Sequence, residues 1–172
     1  MMKQVTILSF LFLATLCHVS STGFCQATDS LSPHKQFPFI PSFQLMKADS
    51  SKFYMKDAIP KKSAAVVIVF SPGCSHCRHQ AQEITSHIQL LANVHFLFAT
   101  AYPINEMKQF ISDYGLDKFP NIQVGQDKGM NLNSFYKIKA LPGIFVYNKK
   151  GKLVAEFVSN VTADVLASAV KK

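Results

Sequence analysis

The chain has 172 residues, room for one domain with an ordinary core, and a formal net charge of +8 from 18 lysines and arginines against 10 acids. The lysines are scattered, with no basic stripe interleaved with aromatics. That argues against nucleic-acid binding and leaves attraction to acidic partner surfaces open.

Lys3 precedes a mostly apolar run from Val5 to Cys17, and small polar residues follow at Ser20, Ser21 and Thr22. This is the layout of a secretory signal peptide. The run of about 13 residues is short of the ~20 needed to cross a bilayer. Cleavage is expected after Ala27, with Gly23 as the alternative site. A retained anchor, or lipidation at Cys17 or Cys25, would be needed for membrane association. Leu16 and Phe24 precede those cysteines where lipidation prefers a small residue. Loss of residues 1–27 would leave only Cys74 and Cys77, the complement a dithiol carrier needs in an oxidising compartment.

Residues 28–41 are polar and carry Pro33, Pro38 and Pro41, which reads as a flexible lead-in. Residues 43–46 and 52–54 alternate loosely and suggest a short hairpin. The run 64–70 is apolar without alternation, the pattern of a strand buried on both faces. Cys77, Ala81, Ile84, Ile88 and Leu91 share one face of a helix expected over residues 75–91. A second buried strand is expected over residues 94–100. Ile104, Met107, Phe110, Ile111 and Tyr114 form a helical face that stops at Gly115. A short strand follows over residues 122–124, then a helical turn over 132–136. Residues 143–147 and 152–159 form a hairpin with Gly151 in its turn. Thr162 caps a last helix.

Cys74-Ser75-His76-Cys77 stands between the first buried run and the first helix, after a Ser-Pro-Gly turn. A helix N-terminus has unpaired N–H groups and a partial positive charge. A sulfur held there is stabilised as thiolate, which is the nucleophile. Cys74 at the helix start is the expected nucleophile. Cys77, one turn in on the apolar face, is the expected resolving thiol. His76 between them would favour the thiolate when protonated. Half of a zinc site is the bland alternative, but no second cysteine pair follows, and His79, His87 and His95 lack the usual spacing.

The stretch Phe70-Ser71-Pro72-Gly73-Cys74-Ser75-His76-Cys77-Arg78 resembles the active-site turn of thioredoxin-like proteins. With Tyr114-Gly115-Leu116, Phe119-Pro120, Leu141-Pro142-Gly143 and Lys150-Gly151-Lys152 downstream, the chain is similar to the extracytoplasmic TlpA/ResA-like thiol-disulfide oxidoreductases of the redoxin, AhpC/TSA superfamily. The similarity runs from about Phe43 to Val170. It implies an α/β fold, a thioredoxin-like three-layer α/β/α sandwich with a mixed central sheet, over residues 42–172. It implies disulfide exchange with protein thiols or disulfides, an upstream redox partner, no cofactor, no metal, and a periplasmic or otherwise extracytoplasmic place. It implies that Pro142 follows a cis bond beside the sulfurs, and that Leu141 and Gly73 offer backbone to the substrate.

Three positions depart from the resembled pattern. Ile68 stands where thioredoxins bury an aspartate. Tyr102 stands where reductive relatives often carry a glutamate, with Glu106 one turn later as a candidate proton acceptor. Gly73 replaces a tryptophan. These leave the direction of electron flow open. Two other functions compete: a peroxiredoxin-type thiol peroxidase, whose loop needs a proline where Val67 stands, and a copper carrier using the soft thiolates and a histidine.

Overall fold

The computed structural model describes residues 31–172. The expectations for residues 1–27, including the leader and Cys17 and Cys25, lie outside the described residues.

The apolar run at the centre of the sequence becomes the centre of a sheet. Strand β3 (Ala64–Val69) pairs in parallel with β4 (Val94–Thr100) and antiparallel with β6 (Gly143–Tyr147). Around these lie β1 (Gln44–Met46), β2 (Lys52–Tyr54), β5 (Ile122–Gln126) and β7 (Leu153–Phe157). The mixed sheet has the order β2-β1-β5-β4-β3-β6-β7.

Both faces of β3 are covered, so its residues are apolar without alternation. Val66, Ile68 and Phe70 face one core, with Cys77, Ala81 and Ile84 of α2 (Ser75–Ser86) and Met107 and Phe110 of α3 (Ile104–Tyr114). Leu166 of α5 (Ala163–Ala169) joins the same core. Ala65 and Val67 face the other, with Leu45, Met55 and Leu97, and with Leu132 and Tyr136 of α4 (Asn131–Tyr136). In that second core the Tyr136 and Tyr147 hydroxyls hydrogen-bond at 2.7 Å, and Tyr136 stacks on Phe145 with ring centroids 3.7 Å apart.

Helix ends follow local chemistry. Gly115, at φ +58°, closes α3 in the left-handed conformation that glycine adopts freely. The Thr162 hydroxyl accepts from the Val165 N–H at the start of α5. Helix α2 stops at Ser86 rather than running to Leu91. The apolar spacing continues to Leu91, which is buried, but residues 87–93 turn the chain back toward β4.

The described part of the lead-in expected to be flexible is instead packed on the domain from Pro33. Pro33 opens a one-turn helix, α1 (Pro33–Gln36), at a position where its missing N–H costs nothing. His34 is buried; its Nδ1–H donates to the Phe135 carbonyl at 3.2 Å, and its Nε2 meets Glu156 Oε2 at 2.8 Å. Lys35 pairs with the same carboxylate. The Leu153 N–H donates to the Pro38 carbonyl, Phe39 bridges to Lys152, and Ile40 enters the second core. The strap pairs with the start of the β7 edge, which would otherwise present unpaired backbone groups there.

Candidate active site

Strand β3 delivers the chain to the site, and a tight turn hands it to α2. The Cys74 N–H donates to the Ser71 carbonyl at 3.1 Å, and the Cys74 carbonyl accepts the first helical bond from Arg78. Cys74 is thus the N-cap residue of α2, with extended backbone and no acid in the first turn. Its sulfur lies where the helix leaves N–H groups unpaired and the dipole is positive.

Cys74 is half-buried and Cys77 is 1% exposed, both as free cysteines. Burial pushes the Cys77 thiol up to about 12. A hydrogen bond with the Ser71 backbone acts the other way, and the neighbouring Cys74 sulfur adds to the rise. The two thiols therefore differ as the sequence suggests, one presented at the helix start and one shielded in the core.

The Leu141–Pro142 bond is cis. The Cys74 thiol meets the Leu141 carbonyl with Sγ 3.7 Å from the oxygen, and Pro142 is buried beside it. Gly143 then begins β6 opposite Val69. A Cβ at Gly143 would stand 2.8 Å from Ile138 Cδ1, so this junction admits only glycine without a shift. Gly73 differs. It is exposed, and a Cβ there would meet nothing within 4 Å, so neither space nor backbone demands glycine. A bare backbone beside Cys74 is what remains.

His76 is exposed, and its ring is turned to Asn160 on the loop before α5, with Nδ1 3.1 Å from Oδ1. The Asn160 amide donates in return to the His76 carbonyl at 2.7 Å. Beside it, buried Gln80 donates to the Val161 carbonyl at 3.0 Å and accepts from the Val161 N–H at 2.8 Å. Asn160 and Gln80 thus tie the first turns of α2 to residues 160–161. Reading the sequence missed this pair. The available signal was Gln80, a polar residue within the apolar stripe of α2, which burial obliges to find partners.

Ile68 is fully buried, and among the described residues no carboxylate lies in the core around Cys77. The one buried acid among the described residues, Asp127, accepts from the Leu132 N–H at the start of α4. Glu106 is exposed in the first turn of α3 and makes no hydrogen bond to either cysteine. Arg78 and His79 are exposed. Among the described residues, no three His, Cys, Asp or Glu side chains are grouped to hold a metal ion.

A model of the thioredoxin-like domain matches residues 52–172. The chain belongs to that family. Within it, the chain is 36% identical to the thiol-disulfide oxidoreductase ResA of Bacillus anthracis over 66 residues, 38% of this chain and 36% of the relative. It is 30% identical to the mercury resistance operon ORF3 product of Streptomyces lividans over 121 residues, 67% of this chain and 62% of the relative. The chain thus spans from about a third to under two thirds of the curated relatives it matches. Among solved structures, it is similar to a secreted Mycobacterium tuberculosis disulfide oxidoreductase homologous to E. coli DsbE. That likeness has a TM-score of 0.63 and 17% identity, over 76% of this chain and 95% of that one. It is also similar to StoA from Bacillus subtilis, with a TM-score of 0.58 and 16% identity, over 77% and 98% of the two chains. The thioredoxin-like α/β fold with a mixed sheet and the TlpA/ResA-like resemblance are borne out.

Proposed function

We propose that this chain is an extracytoplasmic thiol-disulfide oxidoreductase that reduces disulfides in protein substrates. The observation that carries the reading is the asymmetry of the pair: Cys74 presented at the N-cap of α2 against the Leu141 carbonyl, Cys77 buried one turn inside.

The Cys74 thiolate attacks one sulfur of a substrate disulfide. A Cys74–substrate S–S bond forms, the substrate S–S bond breaks, and the other substrate sulfur leaves as thiolate. That thiolate is the nearest base, and it takes the Cys77 proton. Cys77 then attacks the Cys74 sulfur, forming the Cys74–Cys77 disulfide and expelling the second substrate thiolate, which takes a proton from water. Two electrons have passed to the substrate, and an upstream dithiol returns them by the reverse exchange. Burial keeps Cys77 protonated until the mixed disulfide exists. Gly73 and the Leu141–Pro142 turn offer an unobstructed backbone against which a substrate peptide can lie.

The surroundings of His76 support the reducing direction. A strong oxidant of this chemistry has a stabilised reduced form. Here the His76 ring is engaged by Asn160 and makes no hydrogen bond to the Cys74 sulfur. The competing peroxidase reading has no support at Val67, which sits mid-strand between Leu97 and Phe145 instead of in a proline-bearing loop.

Trapping with a disulfide-bearing protein tests the roles. Cys77→Ser should accumulate a mixed disulfide through Cys74, and Cys74→Ser should neither trap nor turn over. Trapping by Cys74→Ser would reverse the roles. Glutathione titration of the pair should give a potential nearer thioredoxin's, about −270 mV, than DsbA's, about −120 mV. A value at the DsbA end would reverse the direction.

A further inference from the structure

The dithiol occupies one end of the sheet, and the opposite end carries a feature that the exchange chemistry does not use. Cys74 follows the C-terminal end of β3, and Gly143 opens β6 beside Val69. The other end holds Ala64, Val94 and the turn at residues 148–151 that joins β6 to β7. The six residues of β3, at about 3.3 Å each, separate the two ends by about 20 Å.

Lysines gather at that far end. Lys149 and Lys150 stand on the turn between two open clefts. One, of about 530 Å³, has an apolar floor that includes Ala64, Val94 and Val170, with Lys171 and Lys172 on its rim and Leu90 at its edge. The other, of about 340 Å³, brings Phe39 and Pro60 together with Lys56, Lys61 and Lys62. None of these seven lysines is in an ion pair; the only lysine so paired among the described residues is Lys35. Asp57, beside Lys56, is the one acidic side chain these segments carry. Leu90 and Phe39 are 52% and 55% exposed among the cations.

We propose that this lysine-rich end docks on anionic phospholipid, holding the dithiol about 20 Å further out and facing away from the bilayer. The surface favours lipid over an acidic protein on three grounds. All seven cations are lysines, whose mobile ammonium groups suit phosphates as point charges; planar, bidentate recognition of a partner's carboxylates calls for arginine, and the chain's one arginine, Arg78, is at the dithiol end. Exposed Leu90 and Phe39 sit among the charges, the mixture that settles at a headgroup boundary. The clefts are open and apolar-floored between charged rims, so lysine stems can lie along them while their heads reach outward. No helix among the described residues is long and apolar enough to cross a membrane. This surface stands apart from the exchange reading, and neither depends on the other.

Flotation of the full chain with phosphatidylcholine vesicles, with and without phosphatidylglycerol, tests the proposal; any contribution of residues 1–30 is common to every variant. The wild type should bind more tightly when phosphatidylglycerol is present. The difference should vanish as salt shortens the screening length from about 10 Å at 0.1 M to about 3 Å at 1 M. Lys171→Gln with Lys172→Gln should weaken the phosphatidylglycerol-dependent part by about fivefold per lysine. Lys108→Gln with Lys128→Gln, an equal loss of charge elsewhere, should leave it unchanged, and both double variants should keep dithiol exchange. Equal binding to both vesicles, no binding to either, or equal weakening by both pairs would each overturn the proposal.

Discussion

Asn160 decides how His76 can act. Its carbonyl oxygen faces the His76 Nδ1, and its amide is oriented by donation to the His76 carbonyl, so Nδ1 carries the ring proton. No hydrogen bond joins that ring to the Cys74 sulfur, whose thiol donates to the Leu141 carbonyl. Replacing His76 by Ala should therefore move the reduction potential of the pair by less than about 30 mV, a tenfold change in the exchange equilibrium. Asn160→Ala should release the ring, and nitrogen-detected NMR should show the Nδ1–H tautomer giving way to Nε2–H. A larger potential shift on His76→Ala would mean the ring does support the thiolate. Cys74, Cys77 and the Leu141–Pro142 turn were legible because each sits in a short motif flanked by its own strand or helix. Asn160 was not, because it meets His76 across 84 residues of sequence and nothing local marks it.

At the scale of elements, legibility tracks burial on both faces. Strands β4 and β6 were read to the residue because their apolar runs end where the sheet ends. Helix α2 was overextended because an apolar period reports burial, and Leu91 is buried without being helical. The strap at residues 31–41 was misread because its polar residues and prolines resemble a linker, while the partners that fix it, Phe135, Lys152 and Glu156, lie over a hundred residues on. Burial raises the Glu156 carboxyl, but hydrogen bonds and charge from Lys35 and His34 outweigh it and hold it below its ordinary 4.5. A carboxyl depressed on folding stabilises the strap fully above about pH 4.5 and loses that contribution as the pH falls through its lower folded value. Protection of the Phe37, Phe39 and Ile40 amides, relative to their intrinsic exchange rates at each pH, should therefore fall toward acid before β3 amides lose protection. In Glu156→Gln that protection should be lower at neutral pH and lose this acid dependence. Wild-type protection that stays flat into acid while β3 remains protected would remove Glu156 as the clasp.

The whole molecule divides its work across the sheet. One core places an aliphatic and aromatic bed under Cys77, with Gln80 as the polar side chain that crosses to residues 160–161. The other core carries the Tyr136–Tyr147 pair and the strap, and holds no part of the dithiol. The resemblance made the layers and the mixed sheet legible; the tyrosine pair was not, since two phenols eleven residues apart announce no contact. Burial raises both phenols, so they stay neutral and each can act as donor or acceptor to the other. Tyr147→Phe strands the Tyr136 hydroxyl in an apolar site, which costs about 1–3 kcal/mol. Removing both hydroxyls strands neither, so Tyr136→Phe with Tyr147→Phe should be less destabilised than the sum of the single variants. Denaturant unfolding of the four proteins completes that cycle, and the slope should stay constant if the native compactness is kept. Exchange through Cys74 should be equal in all four, because the sheet lies between the pair and the sulfurs. Additive losses would mean that the hydroxyls do not depend on one another, and a loss of exchange in Tyr147→Phe would show that the two cores are coupled through β3.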